Sequence, residues 1–104
     1  MADNEPTRFE RLYREQLHAV LGYALARTTR DLALEAVEAT FLVAWRRLDE
    51  VPDSPRPWLM AVARRCLADQ WRANSRRAAL EARMVVAGEG QSVTPDPADE
   101  VVGP

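Results

Sequence analysis

The sequence of 104 residues contains one cysteine, one histidine and no lysine. A single cysteine excludes an internal disulfide, a Cys-x-x-Cys redox pair and a thiolate metal cluster within one chain. Cys66 lies on an apolar stripe, so we interpret it as a small core residue. His18 has no second histidine or cysteine at ligand spacing, and we expect an ordinary surface or boundary side chain. The sequence therefore predicts no metal site and no cofactor.

Long apolar runs are also absent from the sequence. No window approaches the roughly twenty apolar residues of a membrane-spanning helix, and no basic segment with a following apolar run marks a signal peptide. No grouping of nucleophile, base and metal ligand indicates an enzyme, so we name no catalytic residue and no small-molecule substrate. We expect a cytoplasmic protein that does not insert into membranes.

Helical periodicity dominates what the sequence does contain. The first helix is predicted to begin with Thr7 as its cap, with Glu10 completing a Thr-x-x-Glu capping box. The last twenty residues are rich in glycine, proline and acidic side chains without periodicity, which is typical of a disordered tail. We therefore divide the chain into a frayed N-terminus at 1–6, a helical domain at 7–84 and a flexible acidic linker or tail at 85–104.

The second predicted helix spans residues 32–48, with Asp31 or Thr29 as its cap. Its interior holds no glycine or proline. Glu35 and Glu38 lie three residues apart, but no histidine or metal ligand accompanies them. We interpret them as part of a charged face that meets a partner rather than as catalytic carboxylates.

Three prolines fall within residues 49–57, so neither neighbouring helix passes through this segment and the chain must turn. Ser54 is the predicted cap of the third helix, and Pro55 is its predicted first-turn residue. This helix should pass Arg77 and end by Gly88, which is longer than a three-helix core needs, so its last turns should project. The loop itself is either a simple connector or a stiff recognition surface.

The third helix carries two chemically opposite faces. The predicted buried face consists of Leu59, Val62, Ala63, Cys66, Leu67 and Gln70. The opposite face repeats Arg65, Asp69, Arg72 and Arg76. Residues 56–83 have a net charge of +5, whereas the net charge of the whole chain is −2. Because local potential governs association with polyanions, the basic face predicts either nucleic-acid contact or a solvated helix end.

Three segments of the chain share their pattern with one protein family: FERLYREQLHAVLGYALAR, ATFLVAWRRL and PRPWLMAVARRCLADQWR. Together, over about residues 9–77, they resemble region 2 of the extracytoplasmic-function (ECF) sigma factors of bacterial RNA polymerase, in the sigma-70 superfamily. The resemblance implies an all-α fold, a compact domain of three to four helices. It also implies a sigma factor in transcription initiation that binds the polymerase core and recognises and helps melt the promoter minus-ten element.

The resemblance places polymerase binding on the second helix, which in the family docks on the clamp coiled coil of the beta-prime subunit. The common run AEDLVQETFLRAW of the family stands here as ALEAVEATFLVAW. The implied polymerase-binding residues are Glu35, Glu38, Phe41, Leu42 and Trp45.

The resemblance places promoter DNA on the third helix and on the loop at 51–56, which forms a wall for an extruded base of the non-template strand. The implied DNA-binding residues are Asp53, Ser54, Arg56, Arg64, Arg65, Asp69, Arg72 and Arg76. A basic groove beside pockets for unstacked bases suits single-stranded DNA. We expect Trp58 to pack against the domain and Trp71 to lie in the core or at its boundary, with stacking on a base as the alternative for either residue.

Two further points follow from the resemblance. An anti-sigma factor is an expected partner, and a sigma-like interaction module that binds an anti-sigma factor or the clamp without promoter recognition is the alternative function. A complete factor of this group also carries a helix-turn-helix domain, which the acidic tail does not form. We expect the parent reading frame to continue past Pro104 into such a domain, and a one-domain variant is the alternative.

Overall fold

The computed structural model describes residues 4–88. The elements in chain order are α1 (Glu5–Leu25), α2 (Arg30–Arg46), a 3₁₀ turn (Leu48–Glu50) and α3 (Arg56–Gly88). No residue within 4–88 lies in a β-strand, so the predicted all-α fold is confirmed. The predicted acidic tail falls largely on residues 89–104, which lie outside the described residues, as do residues 1–3.

Helix α1 begins earlier than the sequence predicted. Asn4 is its cap, because the Thr7 amide donates to Asn4 Oδ1 at 2.9 Å. Pro6 occupies the first turn, where its missing N–H leaves no helical hydrogen bond unmade. The predicted Thr7–Glu10 capping box is therefore wrong, since Thr7 is already helical. The helix thus starts within the segment that we expected to fray, and it ends at Leu25.

We expect Asn4→Ala to lower the free energy of unfolding by about 1 kcal/mol, because the first turn loses its side-chain acceptor. Thr7→Ala is the matched control inside the same turn, and its cost should stay below about 0.5 kcal/mol. Urea unfolding followed by circular dichroism measures both values. A larger loss for Thr7→Ala than for Asn4→Ala would contradict this assignment of the cap.

Helix α2 begins at the second of the two caps considered from sequence. The Thr29 side chain accepts the Leu32 amide, and the helix runs from Arg30. It ends before Leu48, where the chain tightens into the 3₁₀ turn. The Arg47 guanidinium donates to Glu50 Oε1 across this turn, and that hydrogen bond holds the pKa of the Glu50 carboxyl below its usual range.

Helix α3 begins at Arg56 because the Pro55 carbonyl accepts the Leu59 amide at 2.9 Å. The predicted start is therefore wrong by one residue, since Pro55 is the cap and Ser54 precedes it. The 33 residues of α3 span about 50 Å at 1.5 Å per residue. Side chains at 75–84 are all exposed, so the C-terminal part of α3 projects beyond the other helices, as predicted.

The core lies between the three helices and the 3₁₀ turn. Its buried apolar members are Leu12, Val20, Ala24, Ala33, Val37, Phe41, Ala44, Leu48, Val51, Leu59 and Ala63. On the predicted buried face of α3, Leu59 and Ala63 are fully buried, and the other members are half-buried. Thr40 is the buried hydroxyl of α2, and it donates to the Ala36 carbonyl one turn earlier. None of the described helices is long and apolar enough to cross a membrane.

Candidate functional site

An open apolar groove runs between α1 and α2, with a volume of about 1030 Å³. We call it the α1–α2 groove. It is lined by Phe9, Tyr13, Leu17 and Leu21 from α1, and by Leu34, Glu35, Val37, Glu38, Ala39, Phe41, Leu42 and Trp45 from α2. All five residues that the resemblance implied for polymerase binding therefore lie along this one groove. The resemblance implied none of the four α1 residues as part of a binding site.

Four aromatic rings form the floor of the α1–α2 groove. Phe9 packs edge-to-face on Trp45 with ring centroids 5.4 Å apart, and Tyr13 packs edge-to-face on Phe41 at 4.9 Å. Phe41 is only 3% exposed, so it shapes the floor and holds α1 against α2. Trp45 is 44% exposed and presents the rest of its ring to solvent. The groove thus has an aromatic base.

The rim of the α1–α2 groove combines apolar and acidic side chains. Leu34 and Leu42 on α2 are each close to half exposed. Glu35 and Glu38 are exposed on the same helix. Half-exposed leucines flanked by carboxylates suit a partner helix that offers apolar residues between basic ones. The side chains therefore have the chemistry of a protein-binding surface.

The basic face of α3 lies at the surface, as the sequence predicted. Arg65, Arg72 and Arg76 follow one another at helical spacing, and all three are exposed. Arg64 is also exposed, a quarter-turn away around the helix. Arg72 forms an ion pair with Asp69, whereas no ion pair within residues 4–88 includes Arg64, Arg65 or Arg76. Most of this positive charge is therefore available to an external anion.

The connection between the 3₁₀ turn and α3, residues 51–55, is tied to α1; we call it the 51–55 loop. Val51 is 6% exposed, and its carbonyl accepts a hydrogen bond from the Arg8 guanidinium at 3.1 Å. Just after the loop, Arg56 Nε donates to Gln16 Oε1 at 2.9 Å. Asp53 and Ser54 are exposed between these two attachments. Arg56, which the resemblance implied as a DNA contact, thus also bonds within the protein.

Helix α2 contacts α1 along the α1–α2 groove and also packs against α3. Phe41 and Trp45 of α2 contact aromatic rings of α1. The Leu32 carbonyl of the same helix instead accepts a hydrogen bond from Gln70 Nε2 of α3, at 3.1 Å. Gln70 Nε2 also lies 3.5 Å from Oε1 of Glu35, a residue that lines the groove, so this part of the groove adjoins α3.

Four other residues singled out from the sequence can now be placed. Trp58 is half-buried and packs against the core, which confirms its packing role, and His18 is exposed. Cys66 is half-buried beside Thr40, and burial raises the pKa of its thiol. Trp71 is 61% exposed, so its predicted place in the core or at its boundary is wrong. Among the described residues, no cluster of potential ligands could hold a metal ion.

The comparisons with known proteins identify the family. The model for Sigma-70 region 2 matches residues 12–77, a stretch that includes most of the α1–α2 groove, the 51–55 loop and the exposed arginines of α3. No curated protein and no solved structure gives a significant match to the chain. Region 2 is a non-enzymatic part of sigma factors, which act with the RNA polymerase core on promoter DNA. Because the match covers more than half of the 104 residues, the chain belongs to the sigma-70 region 2 family and has a sigma-factor role in promoter recognition.

Proposed function

We propose that this chain is the N-terminal domain of an ECF-type sigma factor. Its α1–α2 groove binds the clamp coiled coil of the polymerase beta-prime subunit. Its α3 helix and 51–55 loop recognise the promoter minus-ten element and help to melt it, in the cytoplasm where polymerase acts. The observation that carries this proposal is the presence of two chemically distinct surfaces, an apolar groove with acidic side chains between α1 and α2 and a row of exposed arginines on α3.

The groove is the better candidate for polymerase binding. Leu34, Leu42 and Trp45 each leave close to half of the side chain in contact with water, and burying them against a partner is favourable. Aromatic residues at the centre of such a patch commonly dominate the binding energy. Glu35 and Glu38 at the rim add attraction to a basic helix and orient it.

The α3 surface is the better candidate for promoter DNA. Arg65, Arg72 and Arg76 lie in a row, and a row of arginines can neutralise successive phosphates of one strand. The exposed tip of the 51–55 loop offers carbonyl, carboxylate and hydroxyl groups to a base that has left the stack. Capture of an unstacked base offsets part of the cost of opening the duplex, which is how binding on this surface assists melting.

A selection experiment tests the proposed function. The chain is mixed with RNA polymerase core, and single-stranded oligonucleotides with randomised bases are captured on the complex and sequenced. We expect the complex to enrich a short motif, whereas the chain alone should bind weakly and without base preference, since phosphate contacts carry no sequence information. A chain that does not co-purify with core, or a complex that enriches no motif beyond core alone, would refute the proposal.

The groove also supports the alternative function, an interaction module that binds an anti-sigma factor without promoter recognition. Its exposed leucines and tryptophan would serve any amphipathic partner helix. Charge reversal of Arg64, Arg65 and Arg72 separates the two functions in the same selection. If the variant still binds core but captures less DNA, promoter recognition is supported. If the amount of captured DNA is unchanged, the interaction module is supported.

A further inference from the structure

The 51–55 loop is held at both of its ends by side chains that come from α1. At its start, Val51 is buried in the core and its carbonyl accepts the Arg8 guanidinium at 3.1 Å. Arg8 lies in the second turn of α1, 43 residues away in sequence. The entry to the loop is therefore fixed both by apolar packing and by a hydrogen bond to a charged donor, a stronger class of bond than a neutral pair.

At the other end of the loop, Arg56 Nε donates to Gln16 Oε1 at 2.9 Å. Gln16 is only 9% exposed, on the side of α1 that faces the rest of the domain. Burying an amide oxygen without a hydrogen-bond partner costs free energy, so the hydrogen bond between Arg56 and Gln16 should be stable. Arg56 is the first residue of α3 and follows the cap residue Pro55, so the bond fixes where the loop ends.

Between these attachments the chain has little freedom of its own. Pro52 and Pro55 have fixed φ angles, and proline also restricts the residue before it. Between the two prolines, Ser54 is restricted by Pro55, and Asp53 alone has backbone angles that no proline restricts. A binding loop that is already held in one conformation loses less entropy when a ligand binds.

We infer that Gln16 and Arg8 of α1 are positioning residues for base recognition, because they hold the 51–55 loop in the conformation that accepts an extruded base. Neither residue contacts DNA in this account. Gln16 acts through Arg56, and Arg8 acts through the Val51 carbonyl. The inference rests on the proposed function of the loop. It adds that α1, which lines the α1–α2 groove, also contributes to base discrimination.

Substitutions at Gln16 test the inference. Gln16→Leu keeps the size of the side chain but removes the acceptor, whereas Gln16→Glu keeps an acceptor for Arg56 and should behave like the parent chain. Thr40→Val is the matched control, because it also removes one buried hydrogen bond, to the Ala36 carbonyl, which lies within α2 and does not involve the loop. Each variant is examined as the full 104-residue chain.

Two readouts are needed for these variants. The first is the backbone order parameter of Asp53 and Ser54 from nuclear magnetic resonance, which requires no DNA. We expect values of about 0.85 in the parent chain and below about 0.6 in Gln16→Leu. The second is the base preference of the complex with polymerase core, from the oligonucleotide selection above. We expect Gln16→Leu to lose about 10-fold discrimination at the position read by the loop, with core binding unchanged.

The outcomes distinguish failure of the inference from failure of the proposed function. Unchanged order parameters in Gln16→Leu, or a motif preserved despite it, would overturn the inference while leaving the proposed function intact. A comparable loss of base preference in Thr40→Val would also overturn it, because the effect would then follow from stability alone. If the parent complex itself enriches no motif, the proposed function fails and this role of Gln16 fails with it, whatever the order parameters report about the loop.

Discussion

Replacing Leu42 with glutamate should weaken binding to the polymerase core by about 100-fold, which corresponds to about 2.7 kcal/mol. Leu42 is 47% exposed at the rim of the α1–α2 groove, so the substitution leaves no cavity and should not disturb the helix. A carboxylate at an apolar contact must be desolvated without a partner when the complex forms. Fluorescence anisotropy with labelled chain and core polymerase measures the loss, and circular dichroism checks helicity.

Leu80→Glu is the matched control for this prediction. Leu80 is 51% exposed on the projecting part of α3, outside the groove, so the same change in charge and polarity should leave core binding within about two-fold. Equal losses in both variants would indicate a nonspecific effect of the new charge. Phe41→Ala is a poorer probe, because Phe41 is 3% exposed and its truncation also costs stability.

Replacing Arg65, Arg72 and Arg76 together with glutamine should lower the affinity of the polymerase complex for single-stranded DNA by about 100-fold at 0.1 M salt. Each neutralised phosphate contributes about 0.7 to the slope of log K against log salt, so three contacts account for a slope of about 2. All three arginines are exposed in one row on α3, and their replacement removes no core contact. Filter binding over a range of salt concentrations measures affinity and slope together.

A second triple variant controls for net charge. Arg14 on α1, Arg27 in the turn after α1 and Arg30 at the start of α2 are all exposed, and replacing them with glutamine changes the charge by the same amount. If the α3 arginines contact the DNA phosphates directly, this variant should keep the parent chain's slope of log K against log salt. If both triple variants lose affinity equally, overall charge rather than the α3 surface governs DNA binding, and the assignment of α3 is wrong.

Helical periodicity predicted the three helices and the two most deeply buried positions on α3. Leu59 and Ala63 are four residues apart, and both are fully buried as the pattern required. The expectation for Trp71, which came from the family resemblance, failed because burial depends on a neighbouring helix as well as on position in the chain. Helices α1 and α2 have 21 and 17 residues against 33 for α3, so its later turns have nothing to pack against. The start of α1 was misplaced because Asn4 and Pro6 together initiate the helix before Thr7.

The two candidate surfaces were predictable to different degrees. Glu35, Glu38 and Leu42 are exposed, as expected from the family resemblance. Exposure on one side of a helix follows from the spacing of residues along the sequence. The hydrogen bond between Gln16 and Arg56 was not predictable, because 40 residues separate the two and no local pattern links them. The contribution of α1 to the groove was missed for the same reason, since it depends on the packing of α1 against α2.

The most direct test of the account is a titration of this chain against the isolated clamp coiled coil of the beta-prime subunit. Trp45 lies at the groove with 44% of its surface exposed, so its fluorescence should report occupancy. The account predicts saturable binding with a Kd of about 1–10 μM, and loss of saturation in Leu42→Glu but not in Leu80→Glu. Absence of any saturable signal up to about 100 μM, or equal binding by all three chains, would contradict the claim that the α1–α2 groove is the polymerase-binding surface.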